Sequence, residues 1–210
     1  MKKDITSIFE NKKIAQKIQK KLPYLFQLAE LDNSRNGKLG MEIGSTRERI
    51  ITALMMSYFG EKNVDTLTPI TEAETDVHVF GEPVSIKTAS GKKLNGVKLI
   101  WTVDRQKVLE FAKKYKPSCD MVLAHINWGS KGGLYLLSKD IQNEILTKLG
   151  REVYIKLPKQ GTNPRGVELS AVALDKLMTH SNTKKIEIDW IREDIKHNSY
   201  DVWVERWNEK

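Results

Sequence analysis

Between Thr75 and Thr88 the chain reads T-D-V-H-V-F-G-E-P-V-S-I-K-T, two arms of alternating apolar and polar residues around Gly81-Glu82-Pro83. A glycine and a proline between such arms signal a turn, so the stretch is predicted as a tight β-hairpin. With the loop centred between Gly81 and Glu82, the register sets Val79 opposite Val84, His78 opposite Ser85 and Asp76 opposite Lys87, the last two roughly 5 Å apart at Cβ. Val77, Val79, Val84 and Ile86 then share the other face as core. A slip of one residue would scatter both groups, so any fold must keep an acid and a lysine together on one sheet surface.

Around this hairpin the pattern alternates between helix and strand. Ile5 to Leu31 carry apolar residues at helical spacing, with Pro23 expected to divide them into two helices. Asp32 to Gly44 is rich in glycine and asparagine and reads as a loop, after which Ser45 opens a helix with Ile50, Ile51, Leu54, Met55 and Phe59 inward and Gly60 as its stop. A polar loop, Ser90 to Gly96, leads to a strand over Val97 to Val103. Asp104 caps a helix through about Tyr115. Strands are expected over Met121 to Trp128, Leu134 to Leu137 and Val153 to Leu157, and helices over Asp140 to Leu149 and Ser170 to Met178. This order predicts an α/β fold, a single domain over 1–210 with a central mixed β-sheet flanked by helices. Within it, 1–31 is a helical cap, 45–128 the core bearing the site, and 129–210 an elaboration.

Lys and Arg number 35 against 27 Asp and Glu, a formal charge of +8 spread through the chain, which favours a polyanionic partner. The single cysteine, Cys119, excludes an intramolecular disulfide, and with four histidines it cannot supply the usual zinc spacing. No apolar run spans a bilayer and the first residues lack a signal-peptide core, so no membrane association and a cytoplasmic setting are expected.

An acid on one strand, a lysine on its neighbour and a helix upstream can hydrolyse a phosphodiester. Carboxylates hold Mg²⁺, which neutralises the scissile phosphate and acidifies the attacking water, and a lysine orients that water or meets developing charge. One carboxylate is rarely enough, and Glu48 in S-T-R-E-R-I is the best placed second acid. The plainer readings stand beside this one. Asp76 and Lys87 can be a surface ion pair worth a fraction of a kcal/mol, and Glu48, three residues after Ser45, fits a capping box.

These residues resemble the PD-(D/E)XK nuclease superfamily, in which an Asp on one strand is followed by acid-x-Lys on the next. Here the tripeptide is Ser85-Ile86-Lys87, so its acid is absent, and Glu48 would replace it from the helix ahead. The elements G-M-E-I-G-S-T-R-E-R-I, T-D-V-H-V and S-I-K are similar to those of ThaI-type restriction endonucleases across roughly the central third of the chain. The resemblance implies a restriction-endonuclease-like fold and a homodimer that cleaves a short palindromic CG-rich duplex with Mg²⁺. It implies Asp76, Glu48 and the main-chain carbonyl of Ile86 as metal ligands, and Glu48, Asp76 and Lys87 as the catalytic set.

DNA contact is expected from Met41, Arg47, Ser90, Lys92, Lys93, Asn95, Asn163 and Arg165. Lys92, Lys93 and Asn95 can reach phosphates or base edges near the scissile bond, or form a solvated loop. Met41 can wedge between base steps from the minor groove, or staple the helix to the core. Arg165 and Asn163 suit a major groove, with guanine as the natural partner of Arg165. A literal acid-x-Lys at Asp194-Ile195-Lys196 reads as a solvated helical face. Trp203 and Trp207 are expected to bury a C-terminal helix or a dimer interface. A repair or junction-resolving nuclease, and a non-catalytic basic DNA-binding module, are the rival readings.

Overall fold

Nine residues in unbroken extension, Glu82–Ser90, form β5, and the central sheet is assembled around it. The computed structural model describes residues 4–35, 38–39, 42–68, 74–159 and 166–209. Helices α1 (Thr6–Glu10) and α2 (Lys12–Asp32) come first. A two-stranded ladder, β1 (Ser34–Arg35) with β2 (Lys38–Leu39), precedes α3 (Ile43–Phe59). A 3-10 turn, Glu61–Asn63, leads to β3 (Val64–Asp65), β4 (Val77–Val79) and β5. Next come β6 (Val97–Ile100), α4 (Arg105–Lys114), β7 (Asp120–Ile126), β8 (Lys131–Leu137), α5 (Lys139–Leu149) and α6 (Arg151–Tyr154). The chain continues through β9 (Ile155–Lys156), β10 (Val167–Leu169), α7 (Ala171–Met178), β11 (Lys184–Asp189) and α8 (Asp201–Asn208).

Six strands form the central sheet in the order β11-β8-β7-β5-β4-β3, with β5 and β7 parallel and every other pair antiparallel, which makes it a mixed sheet. Helices flank it, as expected. Alternate residues of β5 and β7 enter two cores, so both strands are buried on both faces. Ile86, Val122, Ala124 and Ile126 pack beneath α2 and α3 with Phe26, Ile51, Met55 and Trp190. Met121 and Leu123 face the opposite core, with Leu137, Tyr154, Leu169 and Leu174. The strand expected over Val97 to Val103 is shorter and lies outside the central sheet, in a small one ordered β6-β10-β9.

The hairpin turns one residue earlier than its glycine-proline pair suggests, which shifts the cross-strand register by two. Phe80 (φ 54°) and Gly81 (φ 83°) are its two central residues, both left-handed as a type I′ turn requires. Val79 therefore faces Glu82, His78 faces Pro83 and Val77 faces Val84. Phe80 tolerates the conformation while its ring packs edge-on against Phe59, centroids 5.2 Å apart. A two-residue shift preserves which side chains share a face, so the expected core and polar groupings survive although their direct partners change.

Other boundaries move for identifiable reasons. Pro23 lies inside an unbroken α2, and the solvent-exposed Gln19 is the residue whose carbonyl it leaves without a helical donor. The division falls instead at Asn11, whose side chain accepts from the N–H groups of Lys13 and Ile14. Val153 to Leu157, expected as a strand, gives the last residues of α6 and only Ile155–Lys156 of β9. Gly132 and Gly133 belong to β8 rather than to a loop. A Cβ at Gly132 would lie 2.3 Å from the His125 carbonyl oxygen and 2.6 Å from Trp190 Nε1, so glycine is what lets the buried indole close over the strand. Asp104 and Gly60 act as expected, the first capping α4 through Gln106 and Lys107 and the second ending α3 at φ 89°.

Candidate active site

β4 stops at Val77 while β5 runs on to Ser90, so the two strands part at Asp76. The Asp76 N–H donates to the Val84 carbonyl at 3.0 Å, and beyond it the Asp76 carboxylate takes the place of the next β4 residue. Its Oδ2 accepts from the Ile86 N–H at 2.6 Å, the Lys87 ammonium at 2.8 Å and the Ser85 hydroxyl at 3.2 Å. None of these three donors uses Oδ1. Because the N–H and C=O of one strand residue leave on the same side, the Ile86 carbonyl opens into the same gap. Asp76 stands across from Ser85, and Lys87 reaches it diagonally rather than as the direct partner expected.

Ser85, which occupies the place of the absent acid, is buried and hydrogen-bonded to Asp76. Its position in the tripeptide carried the only sequence signal for that role. Lys87 is largely buried, with a side-chain exposure of 14%.

Glu48 comes to this gap from α3. The helix begins at Ile43, two residues before Ser45, and has no side-chain cap, so the capping-box role for Glu48 disappears. Burial pushes its carboxyl up to about 7. The Lys87 cation opposes that shift and the Asp76 charge adds to it, so Glu48 is within electrostatic reach of both. Glu48, Asp76 and Lys87 are thus brought together by three separate elements.

The donor set fits a hard divalent cation. It holds two carboxylates, one with an oxygen that the three donors to Asp76 leave unused and one held partly out of water, and a main-chain carbonyl, all oxygen ligands. No cluster of three or more His, Cys, Asp or Glu side chains suited to a metal occurs among the described residues, so the third protein ligand here would be the Ile86 carbonyl.

The other expected site residues separate. Lys92, Lys93 and Asn95 are exposed beyond the end of β5. The two lysines line a groove of about 820 Å³ with His125, Tyr135 and Lys185. Ser90 is exposed and accepts from Arg47 Nη1 at 3.0 Å. Arg47 itself is 5% exposed and paired with Glu30, so its position does not suit direct DNA contact. Burial lowers its guanidinium pKa, against the pull of Glu30. Met41, Asn163 and Arg165 lie outside the described residues.

The rival Asp194-Ile195-Lys196 sits in a segment without regular structure rather than on a helix, and Glu187 pairs with Lys131 at 2.6 Å on the surface. Trp203 and Trp207 do not bury α8 against this chain, since both are exposed. No described helix is long and apolar enough to cross a membrane.

Carboxylates and a lysine gather where two strands of a mixed sheet diverge, with one acid delivered by a flanking helix, an arrangement suited to phosphodiester chemistry. Comparison with known proteins supplies the class. Residues 8–209 match the family Restriction endonuclease ThaI, and the chain belongs to that family. A solved structure described as "Restriction endonuclease in complex with substrate DNA" is 51% identical, with a TM-score of 0.90 over 98% of this chain and 99% of that one. No curated protein matches.

Proposed function

We propose that the chain is a type II restriction endonuclease that hydrolyses a phosphodiester in a short palindromic CG-rich duplex with Mg²⁺. The observation that carries this reading is Asp76, whose three donors, the Lys87 ammonium among them, converge on one carboxylate oxygen within electrostatic reach of Glu48. Mg²⁺, when bound by Asp76, Glu48 and the Ile86 carbonyl, supplies positive charge at the scissile phosphate and acidifies the attacking water. Lys87, held at 2.8 Å from Asp76, orients that water and faces the charge that develops on the phosphate oxygens. The Ile86 N–H and Ser85 hydroxyl fix the Asp76 carboxylate, so its position is set before substrate arrives. Lys92, Lys93 and Asn95 contact the backbone or bases flanking the cut.

Digestion of a plasmid of known sequence in Mg²⁺ tests this. A reproducible ladder mapping to one short palindrome is expected. Cutting at branched or damaged structures would instead favour a repair or junction nuclease, and gel shifts without nicking would favour a non-catalytic DNA-binding module.

Cutting both strands of a palindrome calls for two sites, and we assign the second to another copy of this chain docked on α8. Tyr200, Trp203, Val204 and Trp207 repeat at helical spacing on one exposed stripe, with Trp207 89% exposed. Asp201, Glu205 and Glu209 flank the stripe and would repel a phosphate backbone, so a protein surface suits it better than DNA. The double substitution Trp203→Ser, Trp207→Ser is expected to convert a dimer to a monomer in light scattering. An unchanged dimer mass would place the interface elsewhere.

A further inference from the structure

Glu30 is a buried acid that the site described above does not use. At 4% exposure on α2, it receives Arg47 Nη2 and Trp128 Nε1, at 2.5 and 2.8 Å, on Oε1, and Arg192 Nη2 at 2.5 Å on Oε2. One carboxylate thereby joins α2, α3, the turn after β7 and the segment after β11. Arg192 also lies over the Trp128 ring, 4.2 Å from its centroid. Arg47 spends its other terminal nitrogen on Ser90 at the end of β5, 3.0 Å away.

Such a cluster is a poor device for stability alone. Desolvating a guanidinium and a carboxylate costs several kcal/mol, and apolar residues of similar volume often serve a core as well. Its value lies in where it acts. Arg47 immediately precedes Glu48, and Ser90 stands three residues after Lys87. A single guanidinium therefore spans from the helix that bears one acid to the strand that bears the lysine. The N-terminus of α3 has no side-chain cap to fix it otherwise.

We propose that Arg47, anchored by Glu30, is a positioning residue that sets the height of α3 over β5, so that Glu48 meets Asp76 and Lys87 around the cation. This rests on the nuclease reading above. Arg47→Met alone leaves the buried Glu30 with Arg192 as its one cation beside the Trp128 N–H and can unfold the protein, so the informative variant is Glu30→Gln with Arg47→Met, which removes both charges. Ser90→Ala is its companion, because it cuts only the link to β5.

Three quantities are measured on the full chain: melting temperature, Mn²⁺ affinity by electron paramagnetic resonance, and single-turnover cleavage against Mg²⁺ concentration. Duplex affinity in Ca²⁺ is the control. Positioning predicts that the folded double variant binds Mn²⁺ about tenfold or more weakly and needs correspondingly more Mg²⁺, the scale of losing a group that orients metal ligands. Ser90→Ala is expected to shift Mn²⁺ affinity and Mg²⁺ dependence in the same direction by less. Parental Mn²⁺ affinity and Mg²⁺ dependence in a folded double variant would overturn the proposal while leaving the nuclease reading intact. A rise in duplex Kd for Ser90→Ala with no change in Mn²⁺ binding would also overturn it, making Ser90 a DNA contact. A parent chain that binds Mn²⁺ but never cuts DNA fails the nuclease reading, and this proposal with it.

Discussion

Asp76→Ala is expected to abolish cleavage, by on the order of 10⁴-fold, the scale seen when one member of an interdependent catalytic group is removed. The side chain is lost both as a ligand and as the acceptor of three donors, the Ile86 N–H, the Ser85 hydroxyl and the Lys87 ammonium. Ser85 is buried, and a buried donor without an acceptor costs about 1–3 kcal/mol, so this variant should also melt earlier. Asp76→Asn separates the two effects. Its amide oxygen can still accept from Ile86, while the charge that holds a cation is gone, so it should be equally inactive and closer to the parent in stability. Duplex affinity in Ca²⁺ should stay within a few-fold of the parent or rise, because an acid facing phosphates has been neutralised. Single-turnover cleavage and fluorescence anisotropy measure the two sides. Cleavage by either variant within tenfold of the parent would falsify the site.

How much of this was legible in the chain depends on whether the information was local. The polar face of the hairpin follows from a period of two, and it survives a turn misplaced by one residue because the register then shifts by two, which never exchanges faces. The turn was misplaced because Gly81-Glu82-Pro83 looks like loop chemistry. In the fold, Pro83 is a strand residue opposite His78, and Phe80 takes the left-handed position with its ring held by Phe59. Ser45 likewise imitates a cap, although α3 starts at Ile43. Removing that cap is what releases Glu48 for the site.

Arg47 shows the opposite limit. In sequence it is an arginine beside a candidate catalytic acid and suits DNA. In space it is buried by Glu30, 17 residues away, which Arg192 reaches from 162 residues beyond. No local pattern encodes that pairing. The sheet of β6, β10 and β9 is similarly hidden, because β9 has two residues and β10 three, too few for any periodicity. Gly132 and Gly133 read as a loop because the groups that need their bare backbone, the Trp190 indole against Gly132 and the Ile186 carbonyl against Gly133, come from β11 and the residue after it, more than 50 residues on.

Glu48→Gln should divide activity from stability. In the metal-free protein, burial holds the Glu48 carboxyl at about 7 against an ordinary value of 4.5. The folded state thus binds that proton more tightly than the unfolded chain does. Its contribution is most favourable at low pH and is lost as pH rises from about 4.5 through about 7, so at pH 8 the ionised group weighs against folding. Glutamine keeps the shape and carries no charge to desolvate. In EDTA at pH 8 the variant should be more stable than the parent by on the order of 1–2 kcal/mol, after allowance for its partial exposure to solvent. At pH 5 the difference should fall to about a quarter of that. In Mg²⁺ the same substitution removes a ligand and should slow cleavage by about 10²–10³-fold, as when one preorganised electrostatic contact is deleted. Thermal melts in EDTA at the two pH values and single-turnover rates in Mg²⁺ test both halves. A carboxyl whose only task was to hold the helix would give the reverse pattern, with stability falling at pH 8 and cleavage preserved.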